Sequence, residues 1–197
     1  MPTLEDEALQ LTERVAELAR ELGIETALIG AAALAIHNYV RASEDIDLAS
    51  HTELSKLREL QQRLESMQLQ TELRTPDEED PLGGVLEVWQ RTDEEGDPID
   101  SIEIVNFANP WRPGQQTPAR DVLANAKPVA PDSPLRCAQL PDLIALKLYA
   151  GSARDKADII DLLVRNPDAD LGLIRAVCKR YGYEQALEDL IAAARVE

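Results

Sequence analysis

Residues 29–49 read IGAAALAIHNYVRASEDIDLA, and the order of features in this stretch decides how the chain is read. ETALIG, which ends at Gly30, is a short apolar run closed by a glycine and is predicted to be a strand. AAALAIHNY is an alanine-rich helix, and DIDLA is a second strand. On an extended strand residues i and i+2 project from one face, so Asp45 and Asp47 point at one spot while Ile46 and Leu48 face the core. Mg²⁺ takes oxygen ligands at about 2.0–2.1 Å and binds through one or two carboxylates together with substrate phosphates. The spacing suits such an ion. Upstream, Gly30 stands just before a helix, where unpaired N–H groups and the positive helix end can meet a phosphate. Strand, Gly30-Ala31, helix and then the aspartate pair make a triphosphate cradle facing a metal-binding edge.

Working outward, apolar residues at Leu4, Ala8, Leu11, Val15, Leu18, Ala19 and Leu22 predict an opening amphipathic helix with Thr3 as N-cap and Gly23 as C-cap. HTELSKLRELQQRLESM reads as a helix and LQTELR as a strand. VLEVWQ and PIDSIEIVNF follow as further strands of a mixed sheet, separated by acidic loops. Proline then becomes dense from Pro110 to Pro134, so the chain is expected to cross the surface there. From Leu140 onward four helices are predicted, with Pro141 near the first position, Ser152 and Asp168 as caps, and Gly151 and Gly182 as stops. The expected fold class is α+β: a small mixed β-sheet with packed helices, residues 1–125, followed by a C-terminal helical bundle, residues 126–197.

Lys plus Arg number 20 against 37 Asp plus Glu, a formal net charge of −17. That argues against general DNA or RNA binding, since affinity for a phosphate backbone comes mostly from Lys and Arg displacing counterions. Cys137 and Cys178 lack CxxC spacing and the two histidines lie far apart, so there is no zinc constellation. A reduced, cytoplasmic protein is the expectation. MPTLEDEALQ is acidic where a signal peptide would be basic, and nothing approaches the roughly 18 apolar residues of a membrane span.

IGA, thirteen residues and then DID resemble the signature of the DNA polymerase beta type nucleotidyltransferase superfamily. The closer likeness is to small bacterial nucleotidyltransferases of the AbiEii toxin group, in GAAALAIHNYVRASEDIDL and again in LPDLIALKLYAGSARDKADIIDLL. Ala31 stands where that signature usually has serine or glycine. The resemblance implies a nucleotidyltransferase fold and two Mg²⁺ ions on Asp45 and Asp47. It also implies a third carboxylate on a neighbouring strand, for which Asp100 is preferred and Glu103 is the alternative. Such an enzyme moves a nucleotidyl group from a nucleoside triphosphate such as ATP to an acceptor hydroxyl or phosphate, with tRNA or protein as acceptor and a cognate antitoxin as partner.

Lys147 lies in LIALKLYA among apolar neighbours, and a lysine there needs a partner. A triphosphate and an internal carboxylate, Asp142 or Asp158, satisfy it equally well. In the resembled group a lysine of this helix contacts nucleotide phosphates. The resemblance places Arg154, Lys156 and Asp158 at the same pocket, and Arg41, four residues before Asp45, could add charge to the phosphates. Gly30 and Ala31 complete the nucleotide-binding candidates. The alternative is a catalytically inactive nucleotide-binding or protein-interaction module on the same fold. A haloacid dehalogenase reading fails, because VRASE rather than an apolar strand precedes Asp45 and Ala49 stands where Thr or Val is wanted.

Overall fold

The computed structural model describes residues 4–43 and 45–194, so the N-cap expected at Thr3 lies outside the described residues. In chain order the elements are α1 (Leu4–Glu21), β1 (Thr26–Leu28), α2 (Gly30–Ile36), β2 (Asp45–Ser50), α3 (Leu54–Ser66), β3 (Gln70–Arg74) and β4 (Val85–Trp89). Then come β5 (Arg91–Thr92), β6 (Pro98–Ile99), β7 (Ser101–Asn106), α4 (Ala119–Asn125), β8 (Lys127–Pro128) and β9 (Arg136–Cys137). The chain finishes with α5 (Leu140–Ala150), α6 (Ala153–Arg165), α7 (Leu171–Arg180) and α8 (Glu184–Ala194).

Seven strands form one mixed sheet in the order β3-β4-β7-β2-β1-β9-β8, while β5 and β6 make a separate two-stranded ribbon. β2 pairs with β7, and β1 with β9, in parallel; the other pairs are antiparallel. Alternation sorts the central strands: Leu48, Ile102, Ile104, Leu86 and Val88 are buried on one face beneath α1 and α3. The opposite face carries Asp45, Asp47, Glu103 and Val105 beneath the C-terminal helices. The sheet and the helical region are therefore α+β as the sequence suggests.

The proline-dense stretch is more ordered than expected. It holds α4, and β8 and β9 close one sheet edge beside β1. The expected division at 125/126 runs through the sheet, because both strands lie beyond it and one apolar cluster runs from Leu11 to Ile191. The short strands lack alternation of their own, so pairing rather than pattern defines them. Ser152 caps α6 through a reciprocal capping box with Asp155, and Gly151 ends α5 in the left-handed conformation. α7 is capped by Asp170 and not by Asp168: the Asp170 carboxylate accepts from the Leu173 N–H at 3.0 Å.

One buried side chain ties the end of β7 to its neighbours. Asn106 donates through Nδ2 to the Thr52 and Gly83 carbonyls, both at 3.0 Å, and accepts from the Thr52 N–H at 2.9 Å. Its backbone also pairs with Gly83 and Gly84. Asn106→Ala leaves those buried groups without partners and is expected to cost about 3 kcal/mol, measured by urea denaturation; a loss under about 0.5 kcal/mol would show that the tie is dispensable.

Candidate active site

The parallel register of β2 on β7 sets the site. Asp45 lies opposite Ser101 and Asp47 opposite Glu103, so the carboxylates of Asp45, Asp47 and Glu103 share one face. One oxygen from each lies within 4.8 Å of the other two. Asp45 accepts a hydrogen bond from the Ser43 hydroxyl at 2.6 Å, and Glu103 pairs with the Arg74 guanidinium. A donor set of carboxylate oxygens alone, with no sulfur or imidazole, fits a hard divalent cation such as Mg²⁺.

Asp100 stands apart from this cluster. It has the opposite strand parity to Glu103, and its positive φ of 53° breaks the extended chain between β6 and β7. Its carboxylate turns to Arg91 on the two-stranded ribbon, 2.7 Å away. The structure thus brings Glu103, the alternative, beside the aspartate pair. The acidic row continues across the sheet, with Glu103 opposite Glu87 and Glu87 opposite Glu72.

Gly30 faces Asp47 directly. Its φ is +56°, and a Cβ built on it would come within 1.7 Å of Asp47 Oδ2. Only a residue without a side chain leaves room for the carboxylate there. The Ile29 N–H donates to the Asp47 carbonyl at 2.9 Å, which locks the turn to β2. α2 has no side-chain N-cap bond, so the first-turn N–H groups around Ala31 remain available on that side.

Across a cleft of about 570 Å³, α5 brings Lys147, the segment between α2 and β2 brings Arg41, and α6 brings their carboxylate partners. Lys147 is buried and lies 2.6 Å from Asp158 and 3.2 Å from Asp155. Asp158, 1 % exposed, also pairs with Arg41 at 3.3 Å, so one carboxylate holds two cations at the cleft wall. Of the two internal partners weighed for Lys147, the structure places Asp158 beside it. Asp142 instead accepts from Asn125 at 3.0 Å, and burial raises its carboxyl above the ordinary range. Arg154 and Lys156 are exposed and line no part of the cleft.

Several wall residues escaped the sequence reading. Leu143, Leu146, Val105, Leu82 and Phe107 give the cleft an apolar side. Phe107 packs edge-on against Tyr149 with ring centroids 6.3 Å apart, and the Tyr149 hydroxyl accepts from Gln115 at 2.6 Å. Nothing local marks these as site residues. Asp155 was legible as the N3 partner of Ser152 in a capping-box pattern, but its contact with Lys147 was not.

The Asp47 carboxyl is pushed up to about 7 from an ordinary 3.8, chiefly by burial and then by the charges of Asp45 and Glu103, against the pull of Lys147 and Arg41. Between those values the folded chain holds a proton that the unfolded chain has released, so stability falls as pH rises through that window. In EDTA, the urea-unfolding free energy is expected to drop between about pH 4 and pH 7, by up to about 4 kcal/mol from this group alone. Asp47→Asn should flatten that part of the slope; an unchanged slope would show that the carboxyl is ordinary. Gly30→Ala is expected to displace Asp47 and to lower the thermal unfolding midpoint, and a melt that matches wild type would refute the close approach.

Residues 16–196 match the family model described as "Nucleotidyl transferase AbiEii toxin, Type IV TA system". Among solved structures, an antigenic nucleotidyltransferase-like protein from Paracoccidioides brasiliensis superposes with a TM-score of 0.53 at 18% identity, covering 99% of this chain and 95% of that one. The antibiotic-resistance factor ANT(2'')-Ia in solution gives 0.50 at 15% identity, covering 92% of this chain and 94% of that one. At such identities both show a shared fold. No curated protein matches the sequence. With the family pattern spanning nearly the whole chain and the nucleotidyltransferase fold beneath it, the protein belongs to the AbiEii nucleotidyltransferase family.

Proposed function

We propose that the chain is a Mg²⁺-dependent enzyme that transfers a nucleotidyl group from a nucleoside triphosphate to an acceptor hydroxyl or phosphate and releases pyrophosphate. The observation that supports it most is the convergence of Asp45, Asp47 and Glu103 beside a side-chain-free turn, across a cleft from buried Lys147 and Arg41. A solvated acidic strand end would have no reason to face such cations.

Asp45, Asp47 and Glu103 would hold the divalent ions, two on the family resemblance, and Asp100 takes no part. Bound there, such ions supply charge neutralisation at the phosphates and help ionise the attacking group. The chain's own groups do the rest. The first-turn N–H groups of α2, at Ala31 and Ala32, donate to phosphate oxygens that Gly30 lets approach closely. Lys147 and Arg41 offset the remaining triphosphate charge, and Asp158 keeps both side chains oriented between turnovers. The apolar wall of Leu143, Leu146 and Phe107 receives the base and excludes water. Glu103, as the third member of the carboxylate cluster, accepts the proton of an acceptor hydroxyl. Arg154 makes no contribution in this arrangement, because it is exposed and does not line the cleft, although its neighbour Asp155 does.

The family description supports a toxin role, with a cognate antitoxin as partner. No helix among the described residues is long and apolar enough to cross a membrane, and Cys137 and Cys178 are buried free thiols. Both fit action in the cytoplasm, with tRNA or a protein as acceptor.

The test is calorimetry of each nucleoside triphosphate with Mg²⁺, followed by pyrophosphate release in a cell extract that supplies the acceptor. Removing a ligand exceeds the 10–100-fold of a supporting residue, so Glu103→Gln, Asp45→Asn and Asp47→Asn should each lower turnover by more than about 100-fold. Asp100→Asn should stay within about threefold. If wild type binds no nucleotide, or if the Asp100 variant is dead while Glu103→Gln is active, the assignment fails.

A further inference from the structure

A second cleft of about 510 Å³ lies at the far ends of β2 and β7, and it shares Phe107 and Gln115 with the first. Its walls are the turn after β2, the start of α3 and the loop that follows β7. Three cations line it: Lys56, Arg112 and Arg120. In a chain of net charge −17, none of the three forms an ion pair with a carboxylate among the described residues.

Their fixed contacts are to neutral groups. Arg112 donates to the Glu78 carbonyl at 3.1 Å and to the Glu79 carbonyl at 2.8 Å, which holds the guanidinium against the backbone of an acidic segment with no described carboxylate at ion-pair distance. Lys56 reaches the Gly23 carbonyl at 3.4 Å. Arg120 donates to the ring Nε2 of His51 at 3.2 Å, a contact that requires the neutral imidazole. Glu53 is the one carboxylate in the lining, and it accepts from its own neighbour Ser55 at 3.3 Å.

The loop is held in place from beneath. Asn109 is buried and donates to the carbonyls of Asp77 and Asp80 at 3.0 and 2.6 Å, while its side-chain oxygen accepts from the Trp111 N–H at 2.8 Å. Between the lining residues Pro110 and Arg112, Trp111 is left 59 % exposed. Trp111 does not itself line the cleft, but it adjoins Arg112 in the chain, and an exposed indole next to a cation without an ion-pair partner is the pairing that takes a phosphate together with a stacked, planar base.

We propose that this second cleft is the acceptor's anchoring site: it binds a phosphate of the acceptor through Lys56, Arg112 and Arg120, and Trp111 stacks on the adjoining ring. The proposal deepens the nucleotidyltransferase reading and rests on it for the word acceptor, while the anion site itself stands on the cleft alone. The shared chemistry is a phosphate ester, whether of a nucleic-acid strand or of a small nucleotide. An acceptor anchored here lies next to Phe107 and Gln115, which border the transfer cleft.

The test maps binding on the full chain by amide NMR, with uridine hexanucleotide and inorganic phosphate as separate probes and hexaglutamate as control. Perturbations are expected at residues 51–56 and 107–120 with both phosphate probes. Arg112→Ala combined with Arg120→Ala should weaken both by about tenfold or more, and Trp111→Ala should weaken the hexanucleotide alone. Contact by three cations gives a slope of about −2 in log affinity against log salt for a single strand. A hexanucleotide bound much more tightly than phosphate identifies a nucleic-acid strand; near-equal affinities identify a small phosphorylated acceptor.

Perturbations confined to residues 29–47 and 143–158, wild-type affinity in the double variant, or hexaglutamate binding as tightly as the hexanucleotide would each overturn the proposal. Thermal melts of the variants, expected to match wild type because both arginines are exposed, exclude misfolding. Mg²⁺–nucleotide binding is measured in parallel by calorimetry. Its absence in wild type refutes the enzymatic reading, while the mapped anion site is decided separately.

Discussion

The in-register parallel pairing of β2 with β7 is the constraint on which the site depends. A slip of one residue would carry every side chain of a strand to the other face. Asp47 would then point into the core and Ile46 into the cleft. The register is held from both sides, by β1 pairing antiparallel along β2 and by β4 along β7, and by buried isoleucines and leucines on the face away from the cleft. Gly30 adds a steric check, since the turn after β1 accommodates the Asp47 carboxylate in one position only.

That arrangement concentrates like charge. Asp47, Glu103, Glu87 and Glu72 stand opposite one another across four strands, a pattern that disfavours the sheet unless something compensates. Arg74 compensates at Glu103, and burial, which raises the Asp47 carboxyl to about 7, favours a proton there below that pH. On the facing wall the reverse problem is met by Asp158, which separates Lys147 from Arg41. Removing one member of such a buried group leaves an uncompensated charge, so the network is costly to alter piecemeal. A bound cation would do for the acidic wall what Asp155 and Asp158 already do for the facing one.

Much of this was legible in the primary structure because it depends on local pattern. The spacing of Gly30, Asp45 and Asp47, the i and i+2 geometry of a strand and the isolated lysine in LIALKLYA are all short-range signals. What escaped is what pairing and folding bring together. The choice between Asp100 and Glu103 turns on register across two strands that are distant in sequence, together with one left-handed residue. β8 and β9 have two residues each and acquire meaning only from β1. The apolar wall, the Asp158 bridge and the second basic cleft are assembled from separate segments, and no window of sequence contains them.

The acidic excess has a consequence beyond solubility. A polyanion approaching from bulk solvent meets repulsion over most of the surface, and the favourable potential of Lys56, Arg112 and Arg120 is felt only within roughly a Debye length, about 8 Å in physiological salt. Capture is then short-ranged and selective for shape. A long duplex lying flat would bring many phosphates against Asp and Glu side chains, whereas a strand end entering the cleft presents few. On the proposed reading of the second cleft, the overall charge would act as a filter that admits ligands end-on and turns away those that arrive broadside.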